Sequence, residues 1–290
     1  MRLTLRAGAK INLGLRVLGA REDGYHDISS VFQEVSLCDL LDISATPGEG
    51  RIHLECSGDL PEGQDNLAWK AARRFLDMTG AELDVDIRLE KRIPVEAGLG
   101  GGSSDAACVL RGLSTLTGRG GTGLLEAAAE LGSDVPFFIS GGSARVEGRG
   151  ERVSKIPTVP FHAVLIHPPV RVSTPRAYSL WDETADTYLT NSNMMKHDSA
   201  SSAVWHEGKP FPHDLRNDFL PLLEKRIPAI AEVARYMRDS RHGSWGLSGS
   251  GPTFYALFHS EDEACDFSEE LRWKHSICRT ADTAGASSNG

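Results

Sequence analysis

The run from Pro94 to Ser104, Pro-Val-Glu-Ala-Gly-Leu-Gly-Gly-Gly-Ser-Ser, carries the plainest chemical signal in the chain. Consecutive glycines let a backbone approach a ligand without Cβ clashes and take positive φ. Ser103 or Ser104 then opens a helix in the manner of an N-cap, with Ala106, Val109, Leu110 and Leu113 on one face. Unpaired amide N–H groups at the positive end of a helix form an anion site suited to a polyphosphate. A flexible linker would not lead straight into an amphipathic helix behind two serines. Other phosphate signatures fail. No GxxxxGK[ST] occurs, and Gly118-Arg119-Gly120-Gly121-Thr122-Gly123, a formal GxGxxG, follows a helix where a dinucleotide fingerprint requires a strand.

Two further groups of residues stand out. Ile11, Leu13, Leu15 and Val17 alternate with Lys10, Asn12, Gly14 and Arg16. That period of two sets Lys10 and Asn12 on one face of a strand, away from the apolar face. A second glycine cluster, Leu247-Ser248-Gly249-Ser250-Gly251-Pro252, stands near the other end of the chain. The cysteines (Cys38, Cys56, Cys108, Cys265, Cys278) are odd in number and form no CxxC, which argues against a disulfide framework or structural zinc. The histidines form no HxxxH or HExxH pair, so a metal site built on them is not expected.

The elements that must position these groups are mixed. Strands are expected over the first 17 residues, near 31–44, near 51–56, and over 84–89, ending before Pro94. Helical spacing of Leu67, Ala71, Phe75 and Met78 predicts a helix over 66–78, and a short one is expected at 124–131. The pattern resets near 160. A strand at 163–166 precedes a polar, proline-punctuated stretch to about 214, read as loop-rich, and then a helix near 229–239. Strand, helix and short strand follow the second glycine cluster. Without regular βα alternation, this is an α+β pattern. The 290 residues suffice for two domains, taken as 1–158 and 159–280 with a small polar tail at 281–290. A net charge of −9 argues against nucleic-acid or anionic-membrane binding. No apolar run approaches the ~18 residues of a membrane span, and the opening residues show no signal pattern, so a cytoplasmic location is expected.

Three blocks, in order, resemble the motifs of the galacto-homoserine-mevalonate-phosphomevalonate (GHMP) kinases: Ala9-Lys10-Ile11-Asn12-Leu13, Pro94 to Ser104, and Gly246 to Pro252. Within that superfamily, Arg21-Glu22-Asp23-Gly24-Tyr25-His26 resembles the RxDGYH segment of the 4-diphosphocytidyl-2-C-methyl-D-erythritol kinase family. Asp65-Asn66-Leu67, Leu131 to Phe137 and Asn217-Asp218-Phe219 look like the same family. The likeness runs from about residue 5 to 258 and is weakest across 180–212. Glu96 stands where that pattern favours a small residue.

The resemblance implies a fold with an N-terminal domain like ribosomal protein S5 domain 2 and a ferredoxin-like C-terminal domain, the site lying in the cleft between them. It implies ATP-dependent phosphorylation of the 2-hydroxyl of a cytidine-diphosphate-linked methylerythritol, with magnesium and without an obligate protein partner. Asp134 would be the general base, with Lys10 stabilising charge beside it. Tyr25 and His26 match the nucleobase-recognition segment, with Tyr178 as a second aromatic wall and Asn12 and Lys91 as further substrate contacts. Lys91 can equally be read as a solvated strand end. ATP would be held by Asn66, Pro94, Gly98, Leu99, Gly100, Gly101, Gly102, Ser103 and Ser104. Gly249, Ser250 and Gly251 would hold phosphates or brace the glycine loop. Ser103 or Ser104 would touch the magnesium ion. Two other readings are a homoserine- or mevalonate-type kinase and a catalytically silent ligand sensor on the same fold.

Overall fold

The computed structural model describes residues 1–58, 60–61, 63–190, 215–240 and 242–281, with the side chains of 185–190 excepted. The chain forms two compact units that interleave in sequence. Unit 1 comprises Met1–Ala9, Leu37–Val95 and Gly100–Gly141; unit 2 comprises Lys10–Ser36, Glu96–Leu99 and Gly142 onward. Two long strands, β1 (Arg2–Ala20) and β2 (His26–Pro47), contribute residues to both. The expected boundary at 158/159 falls in a connection within unit 2, and the expected tail beyond Ala281 lies outside the described residues.

Unit 1 is a helical layer on a sheet. The end of β2 pairs antiparallel with β4 (Leu83–Glu90), Ile43 opposite Ile87, and β4 pairs parallel with β3 (Ile52–Cys56). Val85, Ile87 and Leu89 are buried while Asp86 and Arg88 face solvent, the alternation of a half-buried strand. The helices are α1 (Leu67–Thr79), α2 (Gly101–Thr117), α3 (Gly123–Leu131) and α4 (Val135–Ser140). Helix α2 crosses the sheet at Gly112, where a Cβ would stand 2.8 Å from the methyls of Ile43 and Leu5. The absent side chain lets the helix sit close against the sheet. The GxGxxG match is the α2–α3 connection, with Gly118 as the left-handed C-cap of α2.

Unit 2 pairs the start of β2 with β5 (Ser143–Gly148), and β5 with β6 (Arg152–Lys155), both antiparallel. A second antiparallel sheet runs β10-β7-β9-β8, made of β7 (His162–His167), β8 (Trp245–Leu247), β9 (Phe254–Phe258) and β10 (Lys274–Arg279). Its helices are α5 (Thr174–Thr190), α6 (Leu220–Arg226), α7 (Pro228–Asp239) and α8 (Glu261–Glu269). The core joins Leu15 and Val17 of β1 to Val164, Ile166, Phe219, Ile230 and Phe254.

Part of the stretch expected as loop is helix α5. Pro168 and Pro169 precede it and Pro175 lies in its first turn, where a missing N–H leaves no bond unmade. Ala177, Leu180 and Trp181 then bury one helical face. Residues 191–214 lie outside the described residues.

Candidate active site

The glycine loop opens α2 earlier than its serines suggest. Gly100 is the N-cap, in the left-handed region at φ 70, and Gly101 is the first helical residue. Glycine takes that conformation without Cβ strain, so the turn closes one residue before any serine can cap it. Ser104 N–H already bonds to Gly100 O at 2.9 Å, and Gly100 has no side chain to offer the amides of Gly101, Gly102 and Ser103. These are the donors at the positive end of a 17-residue helix that an anion can fill. Neither Ser103 nor Ser104 has its hydroxyl bonded to another group among the described residues.

Lys91 is not a solvated strand end. Its Nζ lies between Asp39 and Asp105 (2.7 Å to Asp105 Oδ2), both carboxylates being almost fully buried. Asp39 also accepts the backbone N–H of Arg92 and of Ile93 (2.8 Å), so it fixes the entry to the glycine loop. One ammonium serves two carboxylates, and Asp105 Oδ1 has no hydrogen-bond partner among the described residues. Burial, only partly offset by the Lys91 charge and reinforced by that of Asp39, pushes the Asp105 carboxyl up to about 7. Burial pulls the Lys91 ammonium the other way, but Asp105 and Asp39 outweigh it and hold its pKa above the usual range. The Asp39 and Asp105 partners went unread in the sequence because 52 and 14 residues separate them from Lys91.

Asn66 is the N-cap of α1: Oδ1 accepts Ala68 N–H at 2.9 Å, and Nδ2 donates to Pro61 O at 2.9 Å. Asp134 stands at the N-cap position of α4, ahead of Pro136, yet its side chain makes no cap bond. The carboxylate is half-buried. Pro94 is half-buried at the start of the loop.

In unit 2, Lys10 and Asn12 do share a strand face, but that face is buried too: Lys10 is 3% exposed and Asn12 1%. Lys10 Nζ donates to Asn12 Oδ1 at 2.5 Å and sits 4.4 Å from the Phe32 ring centroid. Asn12 Nδ2 donates to Ser30 Oγ (2.9 Å), which donates to Gly14 O (2.6 Å). A chain of buried polar groups therefore orients the lysine, and Ser30 is a member that the motif reading missed.

The second glycine cluster braces the first half of the glycine loop. Ser248 Oγ donates to Gly98 O (2.8 Å) and accepts Asn12 N–H (3.3 Å). Lys10 N–H bonds to Leu99 O at 2.9 Å. Gly98 has φ +75, and a Cβ there would meet Ser248 O at 2.2 Å, so both conformation and space demand glycine. Gly249 and Gly251 also take positive φ, and Ser250 Oγ pairs with Thr174 Oγ at 3.0 Å. Asn217 Nδ2 holds the turn by donating to Leu247 O and Gly249 O, each at 2.8 Å. Glu96 takes φ 54, the left-handed region where glycine is at ease.

The Arg21–His26 block is the hairpin between β1 and β2. Arg21 N–H bonds to Tyr25 O (2.7 Å), Gly24 turns at φ 80, and the Arg21 guanidinium bonds both Asp23 and Asp27, holding Asp23 below the usual carboxylate range. The turn leaves Tyr25 51% exposed, with the Arg149 guanidinium 5.0 Å from its ring centroid. His26 is buried. It stacks on Tyr178 (4.6 Å between centroids, 25° between planes) and meets Trp181 edge-on. Tyr178 in turn meets Phe219 edge-on at 4.9 Å.

Comparison with known proteins agrees with this layout. Residues 66–142 match the GHMP kinases N terminal domain and residues 211–274 the GHMP kinases C terminal domain. The chain is 39% identical over 267 residues to a 4-diphosphocytidyl-2-C-methyl-D-erythritol kinase of Geobacter metallireducens, covering 90% of this chain and 91% of the relative. The crystal structure of a 4-(cytidine 5'-diphospho)-2C-methyl-D-erythritol kinase superposes with a TM-score of 0.79 at 34% identity, covering 97% of this chain and all of that one. A homoserine kinase from Cytophaga hutchinsonii shares the fold at a TM-score of 0.68 and 19% identity, covering 97% and 94% of the two chains. The architecture is the two-domain GHMP kinase fold.

Proposed function

The chain belongs to the 4-diphosphocytidyl-2-C-methyl-D-erythritol kinase family of GHMP kinases, and from that membership we propose the reaction and the role of each residue. The protein transfers the γ-phosphoryl group of ATP to the 2-hydroxyl of 4-diphosphocytidyl-2-C-methyl-D-erythritol, in the non-mevalonate route to isoprenoids. The substrate oxygen forms a bond to the γ-phosphorus as the bond to the β-phosphate oxygen breaks, and ADP leaves. The observation that carries this reading is the breadth of the likeness, which spans this chain and its relatives nearly end to end.

The uncapped amides of Gly101, Gly102 and Ser103 are suited to the nucleotide phosphates, the Gly98-Leu99 stretch before them being braced by Ser248, beside the Gly249-Ser250-Gly251 turn, and by the Lys10 backbone. Pro94 and Gly100 shape that loop, and Asn66 lies at the head of α1 as a further nucleotide contact. Asp134, at the head of α4, takes the proton from the 2-hydroxyl. Lys10, aimed by Asn12, offsets charge on the transferring group. Magnesium fits as an ion carried by the nucleotide: a hard cation takes oxygen ligands, and the hydroxyls of Ser103 and Ser104 are the oxygens on offer. Bound there, it would neutralise phosphate charge. Tyr25 on the hairpin and the stacked His26–Tyr178 pair are the aromatic groups for the cytosine ring. Lys91 acts through the loop it anchors, its ammonium being taken up by Asp39 and Asp105.

The test is ADP release by the purified protein with ATP, magnesium and 4-diphosphocytidyl-2-C-methyl-D-erythritol, beside homoserine and mevalonate. Turnover confined to the cytidylated substrate is expected. Turnover on a control alone would overturn the substrate assignment while leaving the superfamily intact.

A further inference from the structure

His26 is held on three sides by one helix. Tyr178 and Asp182 lie four residues apart on α5 and so share a face, and Trp181 flanks them. Tyr178 covers one plane of the imidazole, Trp181 meets it edge-on, and Asp182 Oδ1 lies 2.7 Å from Nε2. An ionised carboxylate only accepts hydrogen bonds, and a neutral imidazole carries one N–H and one bare nitrogen. The proton of His26 therefore belongs on Nε2, pointing at Asp182. Nδ1 is left as a bare acceptor, and it has no hydrogen-bond partner among the described residues.

From this arrangement we infer that Asp182 is a specificity-determining positioning residue: by fixing the tautomer of His26 it presents Nδ1 to the nucleobase as an acceptor, selecting a 4-amino-pyrimidine over a 4-keto-pyrimidine. The inference rests on the nucleobase role proposed for Tyr25 and His26. Cytosine offers an N–H donor at its 4-amino group, whereas uracil places a carbonyl acceptor at the same corner. An acceptor facing an acceptor leaves both unpaired, and a site built around a hydrogen bond rejects a ligand that cannot make it. Without Asp182 the imidazole is free to move its proton to Nδ1 and pair with the uracil carbonyl. Asp182 never touches the base; it decides which of two hydrogen-bonding patterns the base meets. At metal sites a carboxylate that accepts the other ring N–H of a ligating histidine sets its tautomer in the same way. Sequence spacing alone does not reveal the pair, because 156 residues separate its members.

The experiment compares wild type, Asp182→Asn, Asp182→Ala and His26→Ala as full chains with matched thermal melts. Calorimetry measures CDP and UDP affinity, and two-bond proton–nitrogen spectra read the His26 tautomer, its signals assigned by their loss in His26→Ala. The wild type is expected to show the Nε2-protonated ring and to prefer CDP by about tenfold or more. In both Asp182 variants the tautomer population should shift and the CDP/UDP ratio fall by about tenfold, mainly through tighter UDP binding and weaker CDP binding. An unchanged ratio in both variants, or a wild-type ring protonated on Nδ1, overturns the inference. If His26→Ala weakens CDP while the Asp182 variants keep their ratio, only the role of Asp182 falls. If His26→Ala leaves CDP affinity untouched, the nucleobase reading falls and the inference with it.

Discussion

Two aspartates in unit 1 illustrate how environment sets the use of one side-chain type. Asp134 is half-buried at the head of a short helix whose amides it does not cap, and is proposed as the base. Asp134→Asn should keep ATP binding and lower turnover by about 10²–10⁴-fold, the usual weight of acid–base catalysis. Near-wild-type turnover from a folded variant would remove it from that role. Asp105 is buried beside a second carboxylate, and its carboxyl is pushed up to about 7. Its folded pKa exceeds its unfolded value of about 3.9, so the contribution to stability is fully present below the unfolded value and is lost as pH rises through the folded one. Asp105→Asn has no proton to lose. Relative to wild type the variant should gain stability between pH 4 and 7, by at most about 1.4 kcal/mol per pH unit. Denaturant midpoints of both proteins at pH 5, 6, 7 and 8 test this, and a difference that is flat with pH would refute it.

At the scale of elements, the glycine loop is two structures in series. Its first part, around Gly98, is pinned by the Ser248 hydroxyl and carbonyl; its second part, from Gly100, turns directly into α2. The two tasks put different demands on glycine: Gly98 needs both positive φ and room against Ser248, whereas Gly100 needs positive φ to cap the helix without a side chain. Gly98→Ala should therefore lower stability by about 1–3 kcal/mol, and it should raise the KM for ATP more than it lowers kcat, because the pinned turn shifts. A wild-type melt and ATP affinity in this variant would show that the brace is dispensable. Much at this scale was legible in sequence. Alternation marked β1 and β4, and helical spacing marked α1 and α7, because those periods follow from backbone geometry alone. Helix α5 is hidden in sequence because prolines usually signal a break, whereas their position at the helix start is the one a helix tolerates. The start of α2 was misplaced because a serine cap is the commoner choice, and a glycine in the left-handed region leaves no side-chain signature.

Across the whole molecule, the interleaving of the units means that no single cut separates two self-sufficient halves. Leu15 and Val17, both 4% exposed, pack into the core of unit 2 with Val164, Phe219 and Phe254, and Leu15 bridges to Asn217. A fragment of residues 159–290 lacks that strand and should show no cooperative thermal transition. A sharp melt from the fragment would refute the expectation. In the intact chain Leu15→Ala should cost about 2–5 kcal/mol, measured by denaturant unfolding.

By itself the sequence determined what local chemistry can specify. A glycine run ahead of an amphipathic helix is an anion site wherever it folds, and the ordered blocks identify a kinase family whose reaction follows. Lys10, Asp134, Tyr25 and His26 are legible as candidates in the sequence because each sits inside such a block. Tertiary structure decided what depends on groups distant in the chain. It set Lys91 between Asp39 and Asp105, turned the polar face of β1 inward onto Ser30 and Ser248, and brought Asp182 to His26. The physical reason is that motif and periodicity report on neighbours within a few residues. A buried charge or a histidine tautomer is set instead by whichever donors and acceptors folding places within 3 Å or so.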